Sequence, residues 1–283
     1  VDSPGDAPAT ELSQALRRRI DGKEYQNELR SKWEQNPNRR IELPYYGFQE
    51  VKLALFHADR VGGDYSTWLA ERHPEPDTLR GPENALDNAD DIVAPQAWRT
   101  RVPEELYPTT WITDLTIDCL KRYSETPEKP FFIQCGYTDP HHPFTPPGKY
   151  WDMYSPADIP APPSLNATHT NPPPFIKHLQ DDLKNGRAIR DYVHPYAVKE
   201  NEARQSIALT YGMISMVDDG IGRVLAALDQ LGLRESTVII YTSDHGDVMG
   251  DHGVMLKHGL HTEGVIRMPF IWSDPDAKAN IRT

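Results

Sequence analysis

A glycine-rich loop in the C-terminal third of the sequence carries side chains suited to a metal ion and an anion. Asp244 and His245 come directly after the apolar run 238–241, and Lys257 follows twelve residues after His245. A carboxylate oxygen beside an imidazole nitrogen is a ligand pair suited to a divalent cation, and an ammonium group suits phosphate or sulfate. Because open α/β sheets place ligands beyond the carboxyl ends of their strands, the pattern predicts a binding site.

The same residues allow a second interpretation, in which Asp244 bonds the backbone of a turn and His245 is solvated. The histidine content favours the binding site, because four of the chain's 11 His lie between His245 and His261. We therefore expect this loop to bind a ligand.

A second group of ionisable residues follows another apolar segment. The run 131–135 predicts a buried strand, and His141 and His142 follow it, each preceded or followed by a proline. Imidazole exchanges a proton near neutral pH, and the prolines restrict the backbone that holds the ring. His141 is therefore a candidate general acid, although two histidines of a surface loop would fit these residues equally well.

The composition is ordinary for a soluble globular protein and excludes some partners. Of 283 residues, 38% are hydrophobic and 25% are charged, and the formal net charge is -12. Nucleic-acid binding requires a basic stripe, and a membrane span requires roughly 18 apolar residues in a run. We therefore expect neither a nucleic-acid partner nor a membrane span, while oligomeric state and cellular location stay open.

Helices and strands alternate in the order expected for an α/β protein. Apolar residues recur at helical spacing in 109–123 and 202–231, and the runs 131–135, 237–243 and 265–272 predict strands. Since helical crossovers make neighbouring strands parallel, 131–135 and 238–241 should lie in one parallel sheet with their carboxyl ends at the same edge. His141 would then face the Asp244–His245 loop across a cleft, with His142 secondary or directed toward solvent.

The first part of the sequence has weaker patterns. Residues 10–36 predict a helix with a thin apolar stripe, 51–55 a half-buried strand and 65–72 a short helix. Residues 1–108 are therefore interpreted as a peripheral segment, and 109–275 as the α/β core that carries the motifs.

Three motifs, in order along the chain, resemble the sulfatase family of the alkaline-phosphatase-like superfamily. Residues 131–144 are similar to the sulfatase segment in which an apolar strand runs into Pro-His-x-Pro, and 217–225 are similar to the family's long helix. Residues 242–253 with Lys257 look like its metal loop and anion-binding lysine. His245 stands where many members carry Asn, so the chain looks more like the choline-sulfatases and phosphonate monoester hydrolases.

This resemblance implies an alkaline-phosphatase-like α/β fold, a mostly parallel sheet flanked by helices, of which the chain would hold a part. It implies hydrolysis of small-molecule or carbohydrate sulfate esters with a formylglycine nucleophile and a divalent metal, Ca²⁺ first and Mn²⁺ or Mg²⁺ as alternatives. Asp244 and His245 would be metal ligands, Lys257 would bind sulfate oxygens, and His141 would contact the sulfate and help to protonate the leaving oxygen.

The sequence departs from the family at the nucleophile. Neither Cys119 nor Cys135 is followed by the family's x-Pro-x-Arg pattern, and the family's paired Asp ligands precede the part matched here. The chain is therefore interpreted as an internal part of one sulfatase catalytic domain, which holds half an active site and is inactive alone. Two alternatives stay open: a phosphomonoester or phosphonate monoester hydrolase of the same superfamily, and a non-catalytic truncated relative.

Overall fold

The computed structural model describes residues 26–37, 39–86, 92–190, 194–257 and 260–277. In chain order its helices and strands are α1 Arg30–Gln35, β1 Ala54–Leu55, β2 Gly62–Gly63, α2 Asp64–Ala70, α3 Pro108–Ser124, α4 Pro174–Lys184, β3 Tyr196–Ala197, α5 Glu200–Gln230, β4 Ile239–Thr242, β5 Val254–Met255, α6 Glu263–Ile266 and β6 Phe270–Ser273. Short 3₁₀ turns connect several of them.

Two long helices, α3 and α5, form the centre of the structure and confirm the helices predicted from apolar spacing. Leu120 of α3 and Leu228 of α5 belong to one buried apolar cluster, while Trp111 and Met216 belong to another. Gly220 allows the two helices to approach, because a Cβ there would lie 2.6 Å from the hydroxyl oxygen of Thr113. Part of the apolar stripe of each helix is buried by the other, and tertiary packing of this kind gives amphipathic helices most of their stability.

The predicted strand at residues 131–135 is wrong, although the segment is extended. Phe131 and Ile133 pack beside the cluster of Leu120 and Leu228, whereas the side chain of Phe132 between them is 79% exposed. This alternation is typical of extended backbone, but the segment pairs with no strand within the described ranges. Apolar alternation reports burial of one face against helices and carries no information about a neighbouring strand.

The predicted parallel pairing of this segment with β4 is also wrong. β4 pairs antiparallel with β6, with Ile239 opposite Ser273 and Thr242 opposite Phe270. The other ladders of the described residues, β1 with β2 and β3 with β5, are antiparallel as well, and a single parallel bridge joins Ala97 to Phe144. The expectation of parallel pairing assumed a helical crossover between neighbouring strands. The neighbour of β4 is instead the later strand β6, which the chain reaches through the glycine-rich loop and α6.

The predicted strand 265–272 forms only in its second half. Its first residues belong to α6, and β6 begins after Pro269. Proline has no backbone N–H to donate to a ladder, so it marks the start of the strand.

Parts of the N-terminal segment reach the interior. Tyr65, Val102 and Tyr107 are buried in the same cluster as Trp111 of α3. Of the predicted helix at 10–36, residues 10–25 lie outside the described part of the chain, and α1 accounts for the end of the remainder. The strand predicted at 51–55 is reduced to β1, and the helix predicted at 65–72 is confirmed as α2.

A second apolar cluster supports the loop that follows β4. Phe144, Tyr196, Met255 and Leu256 are buried together in it. This cluster ties the ends of the two predicted site segments to one core. Within the described ranges, no helix is at once long enough and apolar enough to cross a membrane.

Candidate functional site

Asp244 and His245 lie side by side just beyond the end of β4. The backbone N–H of His245 donates to Asp244 Oδ1 at 2.9 Å, and Asp244 Oδ2 lies 3.4 Å from His245 Nε2. The side chains are 83% and 40% exposed, respectively. An exposed carboxylate and an adjacent ring nitrogen are thus open to a ligand approaching the carboxyl end of the strand.

The orientation of His245 suits a metal ligand. Its Nδ1 lies 2.9 Å from the carbonyl oxygen of Gly246. A carbonyl oxygen only accepts hydrogen bonds, so Nδ1 carries the proton of the neutral ring and Nε2 keeps its lone pair. Fixing one ring nitrogen in this way is the usual means of directing the other toward a metal.

The spacing of the two ligand atoms fits adjacent positions around one cation. Oxygen and nitrogen ligands lie about 2.0–2.5 Å from a divalent ion, so neighbouring ligands at right angles are roughly 2.8–3.5 Å apart. The 3.4 Å between Asp244 Oδ2 and His245 Nε2 matches this separation. No group of three or more His, Cys, Asp or Glu that could hold a metal occurs in the part of the chain that the structure describes. The pair therefore fits part of a coordination shell and leaves the remaining ligands to be supplied.

Gly246 fixes the loop against the start of α6. Its N–H donates to the carbonyl oxygen of Val265 at 2.8 Å. A Cβ at this position would lie 1.9 Å from the carbonyl oxygen of Gly264, a distance at which backbone atoms must move apart. Only glycine permits this close approach of two backbone segments.

Lys257 turns back toward the same loop. Its Nζ lies 3.7 Å from Asp247 Oδ2, and its side chain is only 15% exposed. Asp247 is fixed in turn, because its Oδ1 accepts from the N–H groups of Met249 and Leu256 at 3.2 and 3.1 Å. Burial lowers the pKa of Lys257, and the attraction of Asp247 and Asp244 partly offsets this change.

His141 lies within electrostatic reach of Lys257. Burial lowers the pKa of His141 to about 2, and the nearby His142, His57 and Lys257 contribute to the decrease. The ring is therefore neutral in this structure. Its Nδ1 contacts the carbonyl oxygen of His142, so the proton lies on Nδ1 and Nε2 is the free acceptor.

His142 is buried, which corrects the expectation that it faces solvent. Its side chain is 4% exposed and its ring centroid lies 6.4 Å from that of Phe144. The N–H of Phe144 donates to the carbonyl oxygen of Gln96 at 2.8 Å, so the turn is held against the core. The sequence places His141 and His142 in one turn, and tertiary packing makes His142 the more deeply buried of the two.

Asp139, two residues before His141, is a buried carboxyl group. Thr109 of α3 donates to its Oδ2 at 3.1 Å. Burial raises the pKa of Asp139 to about 7, because desolvation disfavours the carboxylate more than this hydrogen bond supports it.

His57 is a site residue that sequence reasoning missed. Its ring stacks on that of His141, with centroids 3.4 Å apart and planes inclined by 15°. Burial lowers the pKa of His57 to about 4, with a further decrease caused by Lys257. No spacing to another ligand type marks this residue in the sequence, since it lies 84 positions before its partner.

Neither of the two cysteines lies in an environment that activates its thiol. Cys135 Sγ accepts a hydrogen bond from the hydroxyl of Thr116 at 3.2 Å. Burial raises the pKa of both thiols, and Glu50 adds to the effect at Cys119. Because the thiolate is the nucleophilic form, neither cysteine is activated here.

Residues 24–283 match the family model named Sulfatase. The chain belongs to the sulfatase family. Its curated relatives include the arylsulfatase of Clostridium perfringens (strain 13 / Type A), which is 36% identical over 175 residues, or 61% of this chain. The multifunctional alkaline phosphatase superfamily protein PehA of Trinickia caryophylli is 36% identical over 181 residues, or 62% of this chain.

This sulfatase chain spans about a third of the length of those relatives. The aligned parts cover 33% of the arylsulfatase and 34% of PehA. The sequence similarity therefore concerns one part of each relative.

Solved structures show the fold. The phosphonate monoester hydrolase of Agrobacterium radiobacter aligns with a TM-score of 0.57 at 24% identity, over 84% of the sulfatase chain and 47% of the hydrolase. The corresponding enzyme of Silicibacter pomeroyi aligns with a TM-score of 0.52 at 23% identity, over 73% of this chain and 42% of that one. The chain therefore has the alkaline-phosphatase-like α/β fold that its motifs predicted, even though the described ladders are short and antiparallel.

Proposed function

We propose that this chain supplies part of the active site of a metal-dependent sulfatase that hydrolyses sulfate monoesters. One observation supports the proposal: the charge of Lys257 contributes to the lowered pKa of His141, and the charge of Asp244 opposes the lowering of the Lys257 pKa, so the three groups lie within electrostatic reach of one another. These three kinds of group are the ones that hydrolysis of an anionic ester requires.

Asp244 and His245 would hold the divalent cation, for which Ca²⁺ is the first candidate and Mn²⁺ or Mg²⁺ the alternatives. Such an ion supplies positive charge beside the ester oxygens when it is bound. The exposed carboxylate and the lone pair on His245 Nε2 support this assignment. The remaining ligands would come from elsewhere in the protein.

Lys257 would bind an oxygen of the sulfate group. Its low exposure makes the interaction stronger than at a wet surface, because a less polar environment screens charge less. The ion pair of Lys257 Nζ with Asp247 Oδ2, at 3.7 Å, would help to hold the lysine in the loop.

His141 would transfer a proton to the leaving oxygen. In the free site the ring is neutral, with its proton on Nδ1 and a lone pair on Nε2. An anionic substrate beside the ring favours its protonated form, because opposite charges raise the pKa of an imidazole. The protonated ring still donates through Nδ1 to the carbonyl oxygen of His142, and its Nε2–H becomes available to the leaving oxygen.

The nucleophile would lie outside this chain, as a formylglycine made from Cys or Ser. Neither Cys119 nor Cys135 is followed by the family's x-Pro-x-Arg pattern, which supports this assignment. We accordingly expect the 283-residue chain alone to hydrolyse no sulfate ester.

A second candidate function is hydrolysis of phosphate or phosphonate monoesters. The histidine at position 245, where many sulfatases carry Asn, favours it. Both reactions use a metal, an anion-binding cation and an acid for the leaving group, so the described residues fit either. A third possibility, a non-catalytic relative, predicts no turnover of either ester class.

The test compares ester classes in the full-length protein that carries this chain. With Ca²⁺, Mn²⁺ or Mg²⁺ present, we expect turnover of 4-nitrophenyl sulfate in excess of turnover of a phenylphosphonate monoester, and loss of turnover after chelation. Lys257→Ala and His141→Ala should each lower kcat, the latter by about 10²–10⁴-fold for an alkyl leaving group. Lys121→Ala and His178→Ala change exposed residues of α3 and α4 and serve as matched controls.

The outcomes separate the three functions. A preference for the phosphonate ester would replace the sulfatase proposal with the second candidate. Absence of turnover of both esters in the metal-loaded full-length protein would favour the non-catalytic relative. Turnover of an aryl sulfate by the 283-residue chain alone, above that of its Lys257→Ala variant, would contradict a nucleophile outside the chain.

A further inference from the structure

The ring of His57 covers one face of the His141 ring. The centroids lie 3.4 Å apart and the planes are inclined by only 15°, a face-to-face arrangement at van der Waals distance. His57 comes from the connection between β1 and β2, far from His141 in sequence. A residue from the N-terminal segment thus touches the proposed acid directly.

The backbone around His57 adopts an unfavourable conformation. Phe56 and Ala58, on either side of it, have φ angles of +85° and +51°. Residues with a Cβ rarely adopt this region, and they remain there only when the surrounding structure compels it. Strain of this kind is concentrated at functional sites, and here it presents the His57 ring to His141.

A buried carboxylate holds this strained turn in place. Asp59 is inaccessible to solvent, and its Oδ2 accepts from Trp98 Nε1 at 2.8 Å, Thr100 Oγ1 at 2.9 Å and the N–H of Gly81 at 3.1 Å. Three donors on one oxygen tie the turn to two other segments of the chain. The position of His57 is therefore set by tertiary contacts two residues away.

The ring of His57 contacts His141 through its face. Its Nδ1 is buried and has no hydrogen-bond partner among the residues that the structure describes. The ring of Phe56 also stacks on it, with centroids 5.6 Å apart.

We infer that His57 is a positioning residue of the proposed active site, whose ring face fixes the plane of the His141 ring so that His141 Nε2 points to the substrate. The inference rests on the proposed function. The contact of His141 Nδ1 with the carbonyl oxygen of His142 sets the direction of the ring within its plane, and His57 limits tilting out of that plane. Histidine needs such restraint, because the torsion that turns its ring has a broad minimum.

The first experiment measures kcat and KM of the metal-loaded full-length protein for an aryl and an alkyl sulfate. We expect His57→Ala to lower kcat by about 10–10²-fold with little change in KM, since misplacing a catalytic group costs up to about that factor. The loss should be larger for the alkyl ester, which depends more on protonation. His57→Phe keeps a flat ring and should restore most of kcat.

A double variant tests whether His57 affects kcat through His141. If His57 acts through His141, adding His57→Ala to His141→Ala should cause no further loss of kcat. A multiplicative loss in the double variant, or a His57→Phe variant as slow as His57→Ala, would overturn the positioning role.

A measurement without turnover keeps this inference separate from the proposed function. The ring of His141 can be followed by NMR in wild type, His57→Phe and His57→Ala. Loss of the covering ring should hydrate His141 and raise its pKa in the alanine variant, while the phenylalanine variant stays close to wild type. An unchanged His141 titration in His57→Ala would refute the contact. A changed titration together with an unaltered kcat in His141→Ala would retain the contact and reject the proposed role of His141 instead.

Discussion

The buried carboxyl group of Asp139 makes the stability of the protein depend on pH in a direction that can be tested. Burial raises its pKa from 3.8 to about 7, and Thr109 supplies a hydrogen bond that Asn at this position could also accept. Asp139→Asn therefore removes the titration while keeping the size and the hydrogen bond of the side chain. The variant isolates the free energy of burying this one ionisable group.

The direction of the pH dependence of stability follows from the raised pKa of Asp139. Because the folded state binds the proton more tightly than the unfolded state, the contribution to stability is complete below about pH 4 and is lost as the pH rises through about 7. A shift of about 3 units corresponds to a total on the order of 4 kcal/mol, of which about 2–3 kcal/mol is lost between pH 5 and pH 8. This is an upper limit, because water can enter around a newly formed charge.

The assay is urea unfolding of wild type and Asp139→Asn at about pH 5 and about pH 8. We expect wild type to lose up to about 2–3 kcal/mol relative to the variant between these conditions. Asp218→Asn, which changes an exposed carboxylate of α5, is the control and should show no such divergence. A stability difference between wild type and Asp139→Asn that is the same at both pH values would refute the reasoning.

Two further predictions concern the turn and the loop of the site. His142→Ala should lower the free energy of unfolding by about 1–3 kcal/mol, because a buried ring is lost. Its kcat should fall far less than that of His141→Ala. The reverse order of kcat values would show that the acid is His142. Gly246→Ala should weaken metal binding measured by calorimetry in the full-length protein, since a Cβ 1.9 Å from the carbonyl oxygen of Gly264 must displace the Asp244–His245 pair. Gly222→Ala is the control, because a Cβ there meets no atom within 4 Å. Equal metal affinities of the two variants would contradict the role of Gly246.

The local features of the site could be predicted from the sequence because they depend on neighbouring residues. An apolar β-branched run followed by glycine and ionisable groups predicted where β4 ends and where Asp244 and His245 lie. Apolar spacing predicted α3 and α5, since a helix buries whichever stripe is apolar. The ordered motifs predicted the family and with it the fold.

Contacts between distant segments could not be predicted in the same way. The side-chain pattern of residues 131–135 reports which face is buried, whereas the apolar run of β4 is largely exposed in the structure. Strand partners are set by backbone hydrogen bonds that leave no trace in such patterns. The sequence predicted that His142 is secondary or directed toward solvent, whereas tertiary packing buries its side chain. His57 reaches His141 only because Asp59, through Trp98, Thr100 and Gly81, holds a strained turn against the core. The sequence alone therefore determined the residue types of the site and the helices and strand end that lie beside them. The tertiary structure decided strand pairing, burial and the stacking of His57 on His141, because each of these depends on atoms that meet only after the chain has folded.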